Sequence, residues 1–255
     1  MISAKNWIQE MGLYLIYMEE LFSTWRKHGV SKKLLVEQIW KVFAQSFTTT
    51  TMSGVFVGGI MTVQFTMQIQ MFGAHGYLGG LSTSSVVREV GPLLIAFMLS
   101  GKVGAYTSAE LGSMKITEQI DAIRCLGANP ITEIILPRFI GIIVASFFLL
   151  VYGVLFAFLG GLLMGYLFSG ISFDEYIRNI PQLLTGISIA GGVIKAFSFA
   201  FVIAVLCTYY GYNTSGGAKN VGLAVVKTSV STMLIIVIMD WFRSLLLETW
   251  QGLFL

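Results

Sequence analysis

The sequence is poor in charged residues and in side chains that bind metals or form cross-links. Charged residues make up 11% of its 255 residues, whereas a soluble domain carries about 25% because its surface faces water. Cys125 and Cys207 lie in different segments without a CxxC spacing, so we expect neither a disulfide framework nor a metal site. The net charge of +3 is too small to indicate a nucleic-acid partner. The apolar share of 55% instead predicts a surface that faces lipid.

Long apolar runs take up much of the chain. A membrane-spanning helix needs about 20 mostly apolar residues. We therefore predict an all-α integral membrane protein with five spans, in which an N-terminal helical region, 1–45, precedes a membrane domain, 46–255. The predicted spans are 46–72, 90–112, 139–168, 186–212 and 221–247.

Lysine and arginine are distributed unevenly between the loops, and the side richer in them is expected to be cytoplasmic. If the N-terminus is cytoplasmic, Arg88, Arg178 and Arg243 lie outside and Lys195 lies within a span. We therefore expect the N-terminus inside and the C-terminus outside. The residues then inside are Lys5, Arg26, Lys27, Lys32, Lys33, Lys41, Lys102, Lys115, Arg124, Arg138, Lys219 and Lys227.

The first 25 residues favour a helix that lies in the membrane interface. Glu10, Glu19 and Glu20 interrupt the apolar stretch, so we expect no cleavable signal peptide. Apolar residues recur at helical spacing, and aromatic side chains on such a stripe dip toward the acyl chains. A soluble helix packed on a partner is the alternative. The stripe consists of Trp7, Met11, Tyr14, Leu15, Met18, Phe22 and Trp25.

Two glycine pairs predict close contacts between helices. Gly54 and Gly58, and Gly161 and Gly165, are each four residues apart. Small residues at this spacing lie on one helix face and let the backbones approach.

The loop between the second and third predicted spans, 113–127, is predicted to form a short amphipathic helix. Ile116, Ile120 and Ile123 fall on one face at helical spacing. Gly127 is predicted to follow the C-terminus of this helix, and Pro130 prevents its continuation. The charged residues on the rest of this helix could contact either a soluble partner or solvent alone.

Eight short motifs follow one another from about Ser46 to Asp240. They are Arg88-Glu-Val-Gly-Pro92, Gly101-Lys-Val-Gly104, Ala109-Glu-Leu-Gly-Ser-Met-Lys115, Thr117-Glu-Gln-Ile-Asp-Ala122, Pro137-Arg138, Lys195-Ala-Phe-Ser-Phe199, Tyr209-Tyr-Gly211 and Gly216-Gly-Ala-Lys-Asn-Val-Gly222. Together they resemble the MlaE family, permeases of ABC transporters that work with MCE-domain proteins.

The resemblance implies a homodimer of five-span subunits in a bacterial inner membrane. It implies a cytoplasmic ATPase docked on the loop helix, an MCE-domain protein on the far side, and a phospholipid or similar lipid as cargo. A small STAS-domain protein bound through the ATPase is a further expected partner. The residues expected to couple to the ATPase are Glu110, Met114, Lys115, Glu118, Gln119, Asp121 and Arg124.

This chain lacks the sequence that binds ATP in such transporters. It has no GxxxxGK[ST] loop, whose backbone N–H groups hold the phosphates. Lys219 in the glycine-rich segment 216–222 is not followed by serine or threonine, so we predict a tight turn there. ATP and magnesium are therefore expected on the partner ATPase, with no cofactor in this chain and no enzymatic activity of its own.

Polar residues near the predicted outer ends of spans one and two suggest a lipid pocket. Gln64 and Gln68 are four residues apart and share a helix face, and Glu89 precedes span two. Polar groups beside apolar walls suit an amphiphile, although glutamines in spans also form hydrogen bonds between helices. The predicted pocket residues are Gln64, Gln68, Ile69, Phe72, Arg88, Glu89 and Val90.

Two other classes of protein remain as alternatives. An ion-coupled secondary transporter would use buried charges such as Glu89, Lys195 and Asp240 as coupling sites, although the chain shows no internal repeat. An intramembrane hydrolase is less well supported, because the chain has neither GxSxG nor HExxH, and His28 and His75 stand in separate loops.

Overall fold

The structure is a computed structural model that describes residues 4–71, 73 and 75–253. The described chain is helical throughout, without a strand in these residues. Its α-helices are α1 (Ala4–His28), α2 (Lys32–Gln70), α3 (Leu78–Ser85), α4 (Gly91–Leu99), α5 (Ala105–Ile116), α6 (Gln119–Cys125), α7 (Leu136–Ser169), α8 (Phe173–Arg178), α9 (Ile180–Leu183), α10 (Gly186–Tyr212) and α11 (Ala218–Leu253).

Three π-helical segments interrupt the α-helical hydrogen bonding in the described chain. They are Val86–Val90, Ser100–Gly104 and Ile131–Ile135. Such segments insert a residue into the helix and often mark functional positions. The first carries Glu89 and the second carries Lys102.

Within the described residues, four helices are long and apolar enough to cross a membrane. They are Lys32–Gln70, Ile131–Ser169, Gly186–Tyr212 and Ala218–Leu246. The predicted span 90–112 is divided among α4, a π-helical segment and α5, so it is not one uninterrupted α-helix. Helix α2 runs through residues 45 and 46, where the predicted boundary between the N-terminal region and the membrane domain falls.

The chain forms two compact units. Unit 1 comprises residues 1–44, 100–145 and 201–232, and unit 2 comprises residues 45–99, 146–200 and 233–255. Each unit is therefore built from three separated stretches of sequence.

In unit 1, helix α1 packs through one face and exposes another. Tyr17 and Leu21 are buried, whereas Leu15, Phe22 and Trp25 of the predicted stripe are exposed. The buried face of α1 packs against α10, where the Tyr14 hydroxyl lies 2.6 Å from the Tyr210 hydroxyl. Burial raises the pKa of Tyr17. The side chains of Trp7 and Met11 lie outside the described residues.

In unit 2, the predicted glycine pairs lie at close helix contacts. A Cβ atom at Gly54 would clash with the carbonyl oxygen of Gly153, and one at Gly58 would clash with that of Ala157. The second pair faces Tyr176, because a Cβ atom at Gly161 would lie 2.8 Å from the Tyr176 hydroxyl. Both predictions of close packing are confirmed. At Gly54 and Gly58 the approach requires glycine, since a side chain would meet backbone atoms that cannot move aside.

A buried cluster joins α8 to the end of α2. Ile69, Leu78, Ile171 and Tyr176 pack together. The Tyr176 hydroxyl also lies 3.2 Å from the hydroxyl of Thr62. Ser172 precedes the short helix α8, and its hydroxyl accepts a hydrogen bond from the Glu175 amide, an ordinary N-terminal cap.

Candidate functional site

The loop segment predicted as one helix over 113–127 is two helices with a break between them. Helix α5 ends at Ile116, and α6 begins at Gln119. Glu118 has a φ of 60°, a left-handed conformation that a right-handed helix cannot contain. The prediction of a single helix is therefore wrong at this point. The end of the segment is as predicted, because Gly127 has a φ of 80° and donates its N–H to the Arg124 carbonyl.

Helix α6 presents one buried side chain and a broad exposed face. Ile120 is fully buried, whereas Leu126, which follows the helix, is 85% exposed. Four further residues are also exposed on this face: Glu118, Gln119, Ala122 and Cys125.

Ion pairs and a hydrogen bond hold α6 against its neighbours in unit 1. Lys115 Nζ lies 3.0 Å from both carboxylate oxygens of Asp121. Arg124 lies 3.5 Å from Asp121 and donates a 2.6 Å hydrogen bond to the Tyr212 hydroxyl at the end of α10. Three predicted coupling residues therefore orient the helix itself, and their charges are partly satisfied within the chain.

Glu110 is the centre of a second ionic group in unit 1. Its Oε1 atom accepts a 2.9 Å hydrogen bond from Lys41 and a 3.0 Å hydrogen bond from Arg138. The Arg138 side chain is only 10% exposed, and it also contacts the sulfur of Met114 at 3.4 Å. The Glu110 carboxylate thus connects α2, α5 and α7 within unit 1.

A surface depression of about 610 Å³ lies beside this ionic group. Glu110, Met114 and Gln119 were predicted as coupling residues, and the structure brings all three to this depression. The sequence patterns did not identify the contributions of Tyr106 and Arg138, although Arg138 belongs to the Pro137-Arg138 motif. The residues that line it are Tyr106, Ala109, Glu110, Ser113, Met114, Gln119 and Arg138.

In unit 2, a buried lysine is surrounded by acidic and hydroxyl groups. The Lys195 side chain is 0% exposed. Its Nζ atom lies 2.5 Å from Glu89 Oε2, 2.8 Å from Asp240 Oδ1 and 3.1 Å from Ser244 Oγ. Lys195 donates hydrogen bonds to Glu89 and Ser244, whereas its contact with Asp240 is an ion pair in which Oδ1 accepts no hydrogen bond within the described chain.

Ser244 links the two sides of this cluster. Its hydroxyl accepts from Lys195 and lies 3.0 Å from Glu89 Oε2, to which it donates. The cluster therefore joins the π-helical segment 86–90 to α10 and α11. Sequence reasoning singled out Lys195 and Asp240 without a partner for either, and it missed Ser244. The signal was a lysine inside a span, which requires a counter-charge.

The described residues of the predicted lipid pocket lie in three different surroundings. Glu89 is turned toward Lys195, although 43% of its side chain remains exposed. Arg88 and Val90 are half-buried on the same π-helical segment, and Ile69 is buried in the cluster around Tyr176. Phe72 lies outside the described residues.

Gln64 and Gln68 lie on an exposed face of α2. They are exposed, together with Phe56, Ile60 and Met67 at helical spacing on the same side. An amide side chain in contact with hydrocarbon costs free energy unless its hydrogen bonds are made. A pair of glutamines on the surface of a spanning helix therefore indicates a face that contacts something more polar than lipid chains.

These features define a multi-pass helical membrane protein with one unit carrying an exposed ionic surface and the other a buried charge cluster. Residues 35–246 match the family model described as Permease MlaE. The chain belongs to the MlaE permease family.

The relatives of this chain include proteins named as probable ABC transporter permeases. A probable ABC transporter permease protein of Rickettsia typhi is 29% identical over 94% of this chain and 92% of its own length. One of Synechocystis is 28% identical over 98% of this chain and 95% of its own length. The chloroplastic protein TRIGALACTOSYLDIACYLGLYCEROL 1 of Arabidopsis thaliana is 30% identical over 82% of this chain and 60% of its own length. The chain is thus a transporter permease, and its family implies an ATPase partner.

Proposed function

We propose that this chain is the permease subunit of an ABC transporter that moves phospholipid, or a similar lipid, between a bacterial inner membrane and a periplasmic MCE-domain protein. A separate cytoplasmic ATPase, which binds ATP and magnesium, supplies the energy, and a small STAS-domain protein associates through that ATPase. The observation that carries the proposal is the combination of the exposed α6 surface with family membership.

The α6 surface supports ATPase docking. Leu126 offers an exposed apolar contact, and the neighbouring depression offers the Glu110 carboxylate and the Gln119 amide. Ion pairs to Lys115 and Arg124 already orient Asp121, so the helix is held before a partner arrives. A pre-oriented surface loses less conformational entropy on binding than a flexible one.

The exposed face of α2 supports both the lipid cargo and the homodimer. A second copy of the chain placed against Gln64 and Gln68 would remove their amides from hydrocarbon. A space enclosed by two such faces would have apolar walls and amide groups for a lipid headgroup. The name of the Arabidopsis relative is that of a galactolipid, which agrees with a lipid as cargo.

Five spans with the N-terminus in the cytoplasm complete the proposal. The broken run α3–α5 serves as the second span, and α1 lies in the membrane interface through its exposed Leu15, Phe22 and Trp25. This topology puts α6 on the cytoplasmic side, which the ATPase requires. Gln64, Gln68 and Glu89 then lie toward the outer leaflet.

ATPase docking is tested with the full chain purified from cells that also produce its ATPase. Leu126→Asp introduces a charge into the proposed contact and is expected to lower the co-purified ATPase by about tenfold, a loss of roughly 1.4 kcal/mol in binding. Ser215→Asp adds the same charge in another exposed turn of unit 1 and should leave the yield unchanged. Equal recovery of ATPase with both variants would contradict docking at α6.

Lipid cargo is tested by ATP-dependent transfer of a headgroup-labelled phospholipid out of proteoliposomes that contain the permease and its ATPase. Gln64→Trp is expected to lower transfer while ATP hydrolysis continues. Leu159→Trp, at an exposed apolar position on α7, is the control. If the unaltered complex moves no phospholipid with ATP, but an ion gradient drives solute uptake, the alternative of an ion-coupled secondary transporter is favoured.

A further inference from the structure

Unit 2 contains an apolar cavity that is separate from the exposed face of α2. Its volume is about 330 Å³. The walls come from α3, the first π-helical segment, α4, α7 and the stretch from α9 into α10. The lining residues are Thr83, Val87, Pro92, Leu150, Val151, Val154, Leu155, Phe158, Ile180, Leu184, Ile189, Gly192, Val193 and Ala196.

Among the side chains that line this cavity, Thr83 alone carries a polar group. Thr83 is 5% exposed, and its hydroxyl makes no hydrogen bond within the described chain. A buried water needs two to four polar partners, and cavities without them stay dry. Water is therefore a poor occupant of this space.

The cavity is continuous with the surface of the membrane-spanning helices. Leu155 on α7 and Ile189 and Val193 on α10 line the cavity and are also exposed, by 59%, 47% and 40%. Both helices are long and apolar enough to cross a membrane. The medium at the mouth of the cavity is therefore the hydrocarbon of the bilayer.

The size of the cavity suits a flexible chain. An engineered apolar cavity of about 150 Å³ accepts benzene, and this cavity has roughly twice that volume. In a bilayer the hydrophobic effect does not favour entry, because lipid tails are as apolar as the cavity walls. Entry is favoured by dispersion contacts, since atoms lining an empty space lack partners on one side.

We propose that this cavity is a binding site for one acyl chain of a membrane glycerophospholipid. The site is distinct from the proposed cargo face, because its walls include no residue of α2. An occupant would contact the backbone segment that bears Glu89, through Val87, and the helix that bears Lys195, through Ala196. The proposal goes beyond transport and holds whether or not the chain moves lipid.

The test uses the full chain in vesicles of phosphatidylethanolamine and phosphatidylglycerol. The probe is a phosphatidylcholine with a diazirine in the middle of one acyl chain, and mass spectrometry locates the adducts after illumination. We expect adducts on 150–158 of α7 and 189–196 of α10 to exceed those on exposed Val230 and Leu234 of α11.

Filling the cavity supplies a matched pair of variants. Val193→Trp places a large ring in the cavity and is expected to lower the adducts on 150–158 by about tenfold through steric exclusion. Ile194→Trp adds the same ring at the next position, which is exposed but does not line the cavity, and should leave these adducts unchanged. Val151→Phe fills the space from α7 and decides the matter if Val193→Trp is not recovered in the membrane.

Two results would overturn the proposal. The first is labelling that is uniform over the exposed apolar surface and unchanged by both cavity-filling variants, which would mean that the cavity holds no chain. The second is specific labelling of the cavity by a diazirine fatty acid but not by the phosphatidylcholine, which would exclude the glycerophospholipid as its source.

Discussion

Each of the two units contains a group of three charged side chains, and the signs of the charges are reversed between the units. In unit 1, one carboxylate, Glu110, lies between two cations, Lys41 and Arg138. In unit 2, one cation, Lys195, lies between two carboxylates, Glu89 and Asp240. The decisive difference is burial of the central group, since the Glu110 side chain is 28% exposed and the Lys195 side chain is 0% exposed.

This difference decides how much each group depends on its partners. A charge that retains contact with water is partly solvated whether or not its ion pair forms, so such pairs contribute little. A buried charge has lost its hydration and relies on the surrounding groups. The unit 2 cluster is therefore expected to act as a single element, whereas the ion pairs of unit 1 are expected to tolerate rearrangement during docking.

The largest effect is expected from removal of the buried cation. Lys195→Met leaves Glu89 and Asp240 facing each other without a counter-charge, and loss of one partner from a buried pair costs about 3–5 kcal/mol. Thermal unfolding of the purified chain in detergent measures the change. Lys227→Met, at an exposed lysine on α11, is the control. Combining Lys195→Met with Glu89→Gln and Asp240→Asn should restore much of the stability, and an equal melting temperature for Lys195→Met and Lys227→Met would contradict the comparison.

An intermediate effect is expected from removal of the central carboxylate in unit 1. Glu110→Gln keeps an acceptor oxygen but removes the negative charge shared by Lys41 and the largely buried Arg138, and the free energy of unfolding is expected to fall by about 1–3 kcal/mol. The same thermal unfolding measurement, repeated at high salt, distinguishes the ionic group of unit 1 from that of unit 2. Screening should reduce the effect of Glu110→Gln because Glu110 and Lys41 are partly exposed, while the effect of Lys195→Met should persist. A salt-independent loss at Glu110 would mean that the two groups do not differ as proposed.

The smallest effect is expected at the ion pairs of α6. The side chains of Asp121 and Arg124 are 45% and 52% exposed, so Asp121→Asn should change the free energy of unfolding by less than about 1 kcal/mol. Thermal unfolding again provides the measurement. A loss as large as that of Glu110→Gln would show that the exposed ion pairs are essential to the fold of unit 1.

Much of the helical architecture follows from local sequence patterns. The apolar runs predicted four long helices, which the structure contains as α2, α7, α10 and α11. They could be predicted because a spanning helix requires a long apolar run, and the length of a run is a local property of the sequence. Gly127 was predicted as the residue after α6, since its left-handed conformation suits glycine alone among common residues. The tight turn predicted over 216–222 is confirmed only at its start, where Gly216 has a φ of 91°, because α11 already begins at Ala218.

Other features were beyond prediction from local patterns. The break at Glu118 carries no glycine or proline to announce it, and the segment over 113–127 has helical periodicity on both sides. The π-helical segments between Leu78 and Ile116 were also not predicted, although Gly91-Pro92 follows the first of them and Gly101 lies in the second. The contact between Ile69 and Tyr176 joins residues more than a hundred positions apart in the chain, which no local pattern predicts.

The apolar runs and the glycine spacings establish a membrane protein whose helices pack closely. These properties can be read locally, because each depends on neighbours within one or two helical turns. The partners of Lys195 depend on the fold, since Glu89 and Ser244 are 106 and 49 residues away from it in sequence. Burial then determines the strength of that contact, because a charge interacts strongly only where water is excluded. Which charges are surface contacts and which hold unit 2 together is therefore a property of the folded chain.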